Sequence, residues 1–148
     1  MIERFSEILK ELGDIFSIHL KPDRIDACSL KIDEKLHIQL KLNKTEEFIL
    51  IGGNIINIYP GKFRENIFFQ TLKANSQIPK IGSFAFNEKD SNLVMYEYVP
   101  MNDLTTEKLK NILGQFIEKA FSWREAIESN QSAPLEFIKE FEKKDGKY

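Results

Sequence analysis

Residues 92–127, NLVMYEYVPMNDLTTEKLKNILGQFIEKAFSWREAI, decide the fold. The run from Leu93 to Tyr98 favours a β-strand, and Pro100 ends it. A long helix follows, because the next apolar residues recur at intervals of three and four and therefore share one helical face. These residues are Leu109, Ile112, Leu113, Phe116, Ala120, Trp123 and Ile127. A strand joined to a helix with one buried face indicates an α+β fold.

Two upstream segments show the period-two alternation of half-buried strands. The short connection Asp33-Glu34-Lys35 separates them, so we predict an antiparallel hairpin. One face of this hairpin is expected to be buried and the other to meet solvent. Its alternating apolar residues are Cys28, Leu30, Ile32, Leu36, Ile38, Leu40 and Leu42.

Helical periodicity predicts a first helix over residues 2–13, with charged residues opposite its apolar stripe. Gly13 is the predicted end of this helix, and residues 15–20 are a candidate for a first strand. The apolar stripe consists of Ile2, Phe5, Leu9, Leu12 and Phe16.

Pro60-Gly61 opens a second predicted helix, which reaches about Asn75. Residues 81–87 and 92–99 predict a further hairpin. The broad apolar face of the second helix is formed by Phe63, Ile67, Phe68, Thr71, Leu72 and Ala74.

The element order predicts one α+β domain over residues 1–128, with the sequence α-β-β-β-α-β-β-α. In this domain one twisted, mostly antiparallel sheet packs with three helices. Residues 129–148 predict a polar C-terminal tail that can include a short helix and is partly disordered.

Residues 48–59 are apolar on both faces of the predicted strand, around Gly52-Gly53, which is a hairpin turn or a bulge. Such a strand is either central and covered on both sides or covered by a second subunit. Because apolar surface of this extent usually marks an interface, we predict a homodimer. Its predicted interface residues are Phe48, Leu50, Ile55, Ile56, Ile58, Tyr59, Phe63 and Ile67.

Composition excludes several classes of function. The net charge of −2 provides no broad basic field, so we predict no nucleic-acid partner. The longest apolar runs are too short for membrane insertion, and the N-terminus lacks the apolar core of a signal peptide. Cys28 is a single cysteine, which excludes an intramolecular disulfide, so we predict a cytoplasmic protein.

No catalytic, cofactor-binding or metal-ligating constellation is evident in the sequence. Gly52-Gly53 lacks the Lys-Ser/Thr pair of a phosphate-binding loop. His19 and His37 are isolated on predicted strands, and Cys28 lies on an apolar face, where a thiol is usually inert. We therefore predict a protein that is not an enzyme and that uses no cofactor or metal.

Five segments, in order and at matching spacing, resemble the type III secretion effector chaperones of the CesT-like (Tir chaperone) family over about residues 3–128. Residues 5–13 resemble its opening LxxLG segment, and residues 26–36 resemble its CxLxID…L strand pair. Residues 60–75 are similar to its P…R…LLxAN helix. Phe84-Ala-Phe86-Asn87 stands where the family often has LGLD, and Leu104-Thr105 with Trp123-Arg124 matches the last helix. The chain has one Pro before the second helix where many members have two, and it is less acidic than usual.

The resemblance implies a homodimeric bacterial cytoplasmic chaperone that uses no nucleotide. It implies that the N-terminal region of one or more secreted effectors binds as an extended segment and stays competent for export. It admits components of the secretion apparatus as further partners. The positions that match the family's effector-binding surface are Phe5, Leu9, Leu12, Leu30, Ile32 and Ile38.

Two other interpretations are open on the sequence. One is a homodimeric interaction domain of the same fold that has no role in secretion. The other is a small-ligand-binding α+β protein, which would require an enclosed pocket with converging polar groups.

Overall fold

The computed structural model describes residues 2–145. These residues form five strands and four helices. In chain order the elements are α1 (Ile2–Phe16), β1 (Ala27–Ile32), β2 (Leu36–Asn43), β3 (Phe48–Asn57), α2 (Lys62–Asn75), β4 (Ser83–Asn87), β5 (Asn92–Pro100), α3 (Thr106–Glu128) and α4 (Leu135–Asp145).

The strands form one sheet in the order β1-β2-β3-β5-β4, in which all neighbours are antiparallel. The predicted hairpins are confirmed, and Asp33 and Glu34 close the first with left-handed backbone φ angles of 51° and 61°. Thr105 caps α3, because its hydroxyl oxygen accepts a hydrogen bond from the Lys108 N–H at 3.2 Å. The predicted α+β fold is therefore confirmed, with α4 as a fourth helix inside the predicted tail.

Strand β3 lies in the middle of the sheet, between β2 and β5. Gly52 and Gly53 pair with both neighbouring strands, so they are not a hairpin turn. The irregularity in register lies further on, between Asn54 and Ile56, and it leaves Ile55 as the extra residue. The side of β3 facing α3 is buried within the monomer, whereas Phe48 and Leu50 on the other face are only half-buried.

The first helix is longer than predicted and ends at Phe16, where Ser17 has a left-handed φ of 57°. Residues 15–20 are not a strand, because the chain turns back here and the Ile18 N–H donates to the Gly13 carbonyl at 2.9 Å. Gly13 is thus a buried position within the last turn of the helix. A Cβ atom at this position would lie 2.5 Å from the Ile18 carbonyl oxygen.

We expect Gly13→Ala to destabilise the protein by about 1–3 kcal/mol, because the Ile18 backbone must move to admit the methyl group. The sign is diagnostic, since alanine is favoured over glycine by about 1 kcal/mol within an unconstrained helix. Gly114→Ala is the matched control, because a Cβ atom there meets nothing within 4 Å. Urea denaturation is expected to show loss of stability for the first variant and a gain for the second. A stabilised Gly13→Ala variant would contradict the close contact.

Helix α4 lies in the predicted tail, after residue 128, and contacts the helices of the predicted domain. The Phe137 ring packs on Trp123 at a centroid distance of 5.3 Å, and the Lys73 ammonium lies 5.5 Å from the centre of the Phe141 ring. These contacts join α4 to α3 and α2. The predicted disorder concerns the end of the tail from Lys143 onward, of which residues 146–148 lie outside the described residues.

Candidate functional site

An apolar groove lies beside the outer edge of β1. The end of α1, the segment after it, β1 and one face of α3 form its walls, and its volume is about 520 Å³. The exposed side chains at its rim include Phe16 and Ile18, which are 50% and 49% exposed. Its apolar lining consists of Phe16, Ile18, Leu20, Leu30, Ile32, Leu113 and Ile117.

Of the six residues predicted to bind an effector, two line this groove and four lie in the core. Leu30 and Ile32 line the groove. Phe5, Leu9, Leu12 and Ile38 are at most 1% exposed and belong to the core. The exposed large residue of the α1 stripe is therefore Phe16 at its C-terminal end, next to Ile15, which is also exposed. The prediction expected accessibility at Phe5, Leu9 and Leu12, but these residues are buried in the core on the side of α1 that is packed against the rest of the domain.

Strand β1 is an outer strand of the sheet, and its free edge is only partly covered. The Asp26 carbonyl accepts a hydrogen bond from Leu42 on β2, and the Ile32 carbonyl accepts one from Lys35. Even-numbered residues therefore bond towards β2, and odd-numbered residues present N–H and C=O groups to the free edge. Asp23 satisfies both edge-facing groups of Ala27, at 3.0 and 2.8 Å.

Ser29 and Lys31 follow Ala27 along the same edge. Among residues 2–145 their edge-facing backbone groups have no hydrogen-bond partner, and both residues are exposed. Ser29 and Lys31 also lie on the rim of the apolar groove. An open row of backbone donors and acceptors beside an apolar groove is the arrangement that binds an extended peptide as an added strand.

A second exposed apolar surface lies on the outer side of α2. Phe69 and Leu72 are 65% and 68% exposed and are three residues apart, so they are neighbours on the helix. Leu72 was predicted to lie on the buried face, which instead consists of Ile67, Thr71 and Ala74. Phe69 was not predicted to be a surface residue of a binding site. The signal that could have indicated it is that α2 has more apolar residues than one helical face can hold.

The eight predicted dimer-interface residues differ widely in exposure. Tyr59 is 79% and Phe63 is 37% exposed, so both are accessible beside α2. Phe48, Leu50 and Ile56 are half-buried. Ile55, Ile58 and Ile67 are at most 4% exposed and already lie in the core of the monomer.

The Trp123-Arg124 pair supports the sheet from α3. The Trp123 ring packs on Phe84 of β4 at a centroid distance of 4.5 Å. Arg124 Nη1 donates to the carbonyl of Ile55 at 2.7 Å, which gives the bulged residue of β3 a partner. Arg124 Nε also lies 2.8 Å from a carboxylate oxygen of Glu128.

Lys119 holds the chain segment that leads into β4. Its ammonium donates to the carbonyl groups of Ile81 and Gly82 at 3.1 and 2.8 Å. The pKa of Lys119 is lowered from 10.5 to about 8, mainly by burial and also by the nearby charge of Lys80, and the Glu97 carboxylate partly opposes this shift.

We expect the free energy of unfolding to rise with pH between about 8 and 10.5 because of Lys119. In that range the unfolded chain keeps the proton that the folded chain has released, so the folded state gains stability as pH increases. Denaturant titrations from pH 7.5 to 9.5 should show this rise, and Lys119→Met should reduce it. An identical pH profile for both proteins would contradict the lowered pKa.

The described residues offer no site for metal chemistry. Among residues 2–145 no group of three or more His, Cys, Asp and Glu side chains could hold a metal ion. Cys28 is buried, and burial raises the pKa of its thiol, which disfavours the reactive thiolate. No described helix combines the length and the apolar character needed to cross a bilayer.

Comparison with known proteins gives a consistent result. The sequence profile of the Tir chaperone protein (CesT) family matches residues 7–124. A search of curated proteins finds no match.

Several solved structures share the fold. The ExsC–ExsE complex contains a chain that is 20% identical, with a TM-score of 0.71 over 84% of this chain and 94% of that one. The HopA1–SchA chaperone–effector complex contains a chain that is also 20% identical, with a TM-score of 0.70 over 82% and 94%. The complex of the Yersinia pestis type III secretion chaperone SycH with a stable fragment of YscM2 contains a chain that is 17% identical, with a TM-score of 0.64 over 78% and 96%.

The predicted resemblance is therefore confirmed by the extent of the profile match and by the common fold. The match includes α2, the whole sheet and the Trp123-Arg124 pair, whereas α4 lies beyond it. The chain belongs to the Tir chaperone protein (CesT) family, and the type III secretion chaperone function predicted from its sequence is the function of that family.

Proposed function

We propose that this chaperone binds the N-terminal segment of a secreted effector as an extended chain along β1. The observation that carries the proposal is the position of the open backbone groups of Ser29 and Lys31 on the rim of the apolar groove. The HopA1–SchA structure, which is a chaperone–effector complex on the same fold, supports the proposal.

The two parts of the site have different tasks. Hydrogen bonds to the backbone of β1 provide affinity that depends little on the client's sequence. Alternate side chains of an added strand point to the same face, so apolar residues at every second client position enter the groove between Phe16 and Leu113. The cost of ordering a disordered segment limits the net affinity, which keeps the client releasable for export. No step in this scheme requires a nucleotide or a metal.

We propose further that the chaperone acts in the cytoplasm as a homodimer joined through the outer side of α2. Phe69 and Leu72 form the centre of this surface, and Tyr59 and Phe63 lie close to it in sequence. A standard interface of about 800 Å² per subunit needs several large apolar side chains at its centre. The α2 surface supplies them, whereas the predicted residues Ile55, Ile58 and Ile67 are buried in the core of the monomer.

Capture of bound chains from the source bacterium, followed by reconstitution, tests the proposed function. The captured protein is expected to be a secreted protein whose isolated N-terminal segment co-purifies with the chaperone. Binding should be unchanged after treatment with chelator or nucleotide-degrading enzyme. A captured partner that is not secreted, or whose N-terminal segment fails to bind, would favour an interaction domain without a secretion role.

A further inference from the structure

The two outer strands of the sheet differ in whether another strand can join them. At the edge of β1, the backbone groups of Ser29 and Lys31 are open. At the edge of β4, side chains of the same molecule bind the backbone groups of Gly82 and Phe84. An unprotected edge strand pairs readily with any extended chain, so this difference affects which partner can bind and where.

Asn75, at the end of α2, closes the middle of the β4 edge. Its amide nitrogen donates to the Phe84 carbonyl at 3.0 Å, and its amide oxygen accepts from the Phe84 N–H at 2.8 Å. This pair of bonds is the pattern that a neighbouring strand would form. The side chain of Asn75 therefore occupies the position of an added strand at Phe84.

Gly82, which precedes β4, is satisfied in the same way. Its N–H donates to a carboxylate oxygen of Glu97 at 2.6 Å, and its carbonyl accepts from Lys119 at 2.8 Å. Phe86 is the remaining residue of β4 whose backbone faces this edge. The side chains of Phe68 and Arg64 on α2 pack against its ring. Two successive edge positions are thus closed by three side chains.

We propose that Asn75 determines which edge of the sheet receives an extended client, because it closes β4 and leaves β1 as the edge open to strand addition. This inference rests on the proposed function for the binding at β1. It adds that the subunits of a homodimer meet through side chains of α2 and do not join their sheets through β4. Asn75 is a specificity-determining residue, since it acts by excluding a strand at the wrong edge.

A spin-labelled peptide provides the test. The probe is a short peptide of alternating Val and Thr, flanked by Lys, with a nitroxide at its N-terminus. In the wild-type protein the probe should broaden the NMR amide signals of Ser29 and Lys31 and leave that of Phe84 unchanged. In Asn75→Ala it should broaden the Phe84 signal as well, or a second copy of the chain should occupy that edge and raise the mass measured by light scattering.

Three further measurements separate edge closure from a general loss of structure. Asn66→Ala is the matched control for the Phe84 signal, because Asn66 is an exposed asparagine on the same helix, and in this variant the probe should leave the Phe84 signal unchanged as in the wild type. Amide exchange at Phe84 should accelerate about tenfold in Asn75→Ala, as expected for the loss of one hydrogen bond. Asn75→Asp keeps an oxygen that accepts from the Phe84 N–H, so it tests the edge in case Asn75→Ala does not fold. The probe should broaden the Phe84 signal less in Asn75→Asp than in Asn75→Ala.

The results at the two edges are read from different signals. If the Phe84 signal and the mass stay unchanged in a folded Asn75→Ala variant, the inference is overturned whatever happens at β1. If the wild-type protein already binds the probe at Phe84, the edge is not closed and the inference is likewise overturned. If the Ser29 and Lys31 signals do not respond, strand addition at β1 in the proposed function is wrong, and the result at Phe84 still decides whether Asn75 closes β4.

Discussion

Ser29→Pro is expected to reduce client binding about tenfold or more while the protein stays folded. Proline removes the Ser29 N–H and places its ring where the client strand would approach. The lost hydrogen bond and the steric overlap together exceed the roughly 1.4 kcal/mol that corresponds to a tenfold change in affinity. The fold should tolerate the change, because this N–H faces the free edge and lacks a partner among the described residues.

Ser29→Thr is the matched control, since it keeps the N–H and adds a β-branched side chain that suits a strand. Isothermal titration calorimetry with the reconstituted client segment measures both variants, and circular dichroism confirms that they are folded. Unchanged affinity in a folded Ser29→Pro variant would show that the client does not add a strand to β1. If only groove substitutions such as Phe16→Asp reduce client affinity, the client binds through the groove alone.

Phe69→Asp is expected to convert the homodimer into monomers. The substitution places an unpaired carboxylate at the centre of the proposed α2 interface, and burial of such a charge costs on the order of 3–5 kcal/mol. The dissociation constant should therefore increase by about a thousandfold. Light scattering at micromolar concentration should give twice 17.3 kDa for the wild type and 17.3 kDa for the variant.

Phe16→Asp is the companion to this variant, because it introduces the same charge on an exposed phenylalanine in the β1 groove. It should weaken client binding and leave the dimer intact. If Phe69→Asp is still a dimer, the interface lies elsewhere, with Phe48 and Leu50 on the open face of the sheet as the next candidates. A wild-type protein that is a monomer at this concentration would show that the homodimer proposal itself is wrong.

The local sequence pattern was sufficient to predict most of the helices and strands. Alternation of apolar and polar residues located both hairpins, and the stripe from Leu109 to Ile127 located α3, because side-chain spacing depends only on backbone geometry. Gly13 was wrongly predicted to end the first helix, because local pattern does not show which segment packs against a residue. Glycine usually ends a helix through a positive φ, whereas here it allows the Ile18 carbonyl to approach from a segment that local pattern does not position.

The candidate site was less predictable than the fold. Phe5, Leu9 and Leu12 form a helical stripe whether they face a client or the core, and it is the packing of α1 into the domain that buries them. The exposure of Phe69 and Leu72 likewise depends on how α2 is rotated against β4, which the mixed apolar periodicity of α2 leaves open.

The amino-acid pattern was enough to establish the α+β order, the family and the lack of any recognisable catalytic motif, since each follows from residue types and spacing along the chain. The arrangement in space settled which apolar residues are accessible, and it distinguished the open edge at Ser29 from the edge that Asn75 closes. Asn75 and Phe84 are nine residues apart and belong to a helix and a strand. Hydrogen bonds between such elements depend on how they pack, so periodicity within either element cannot reveal them.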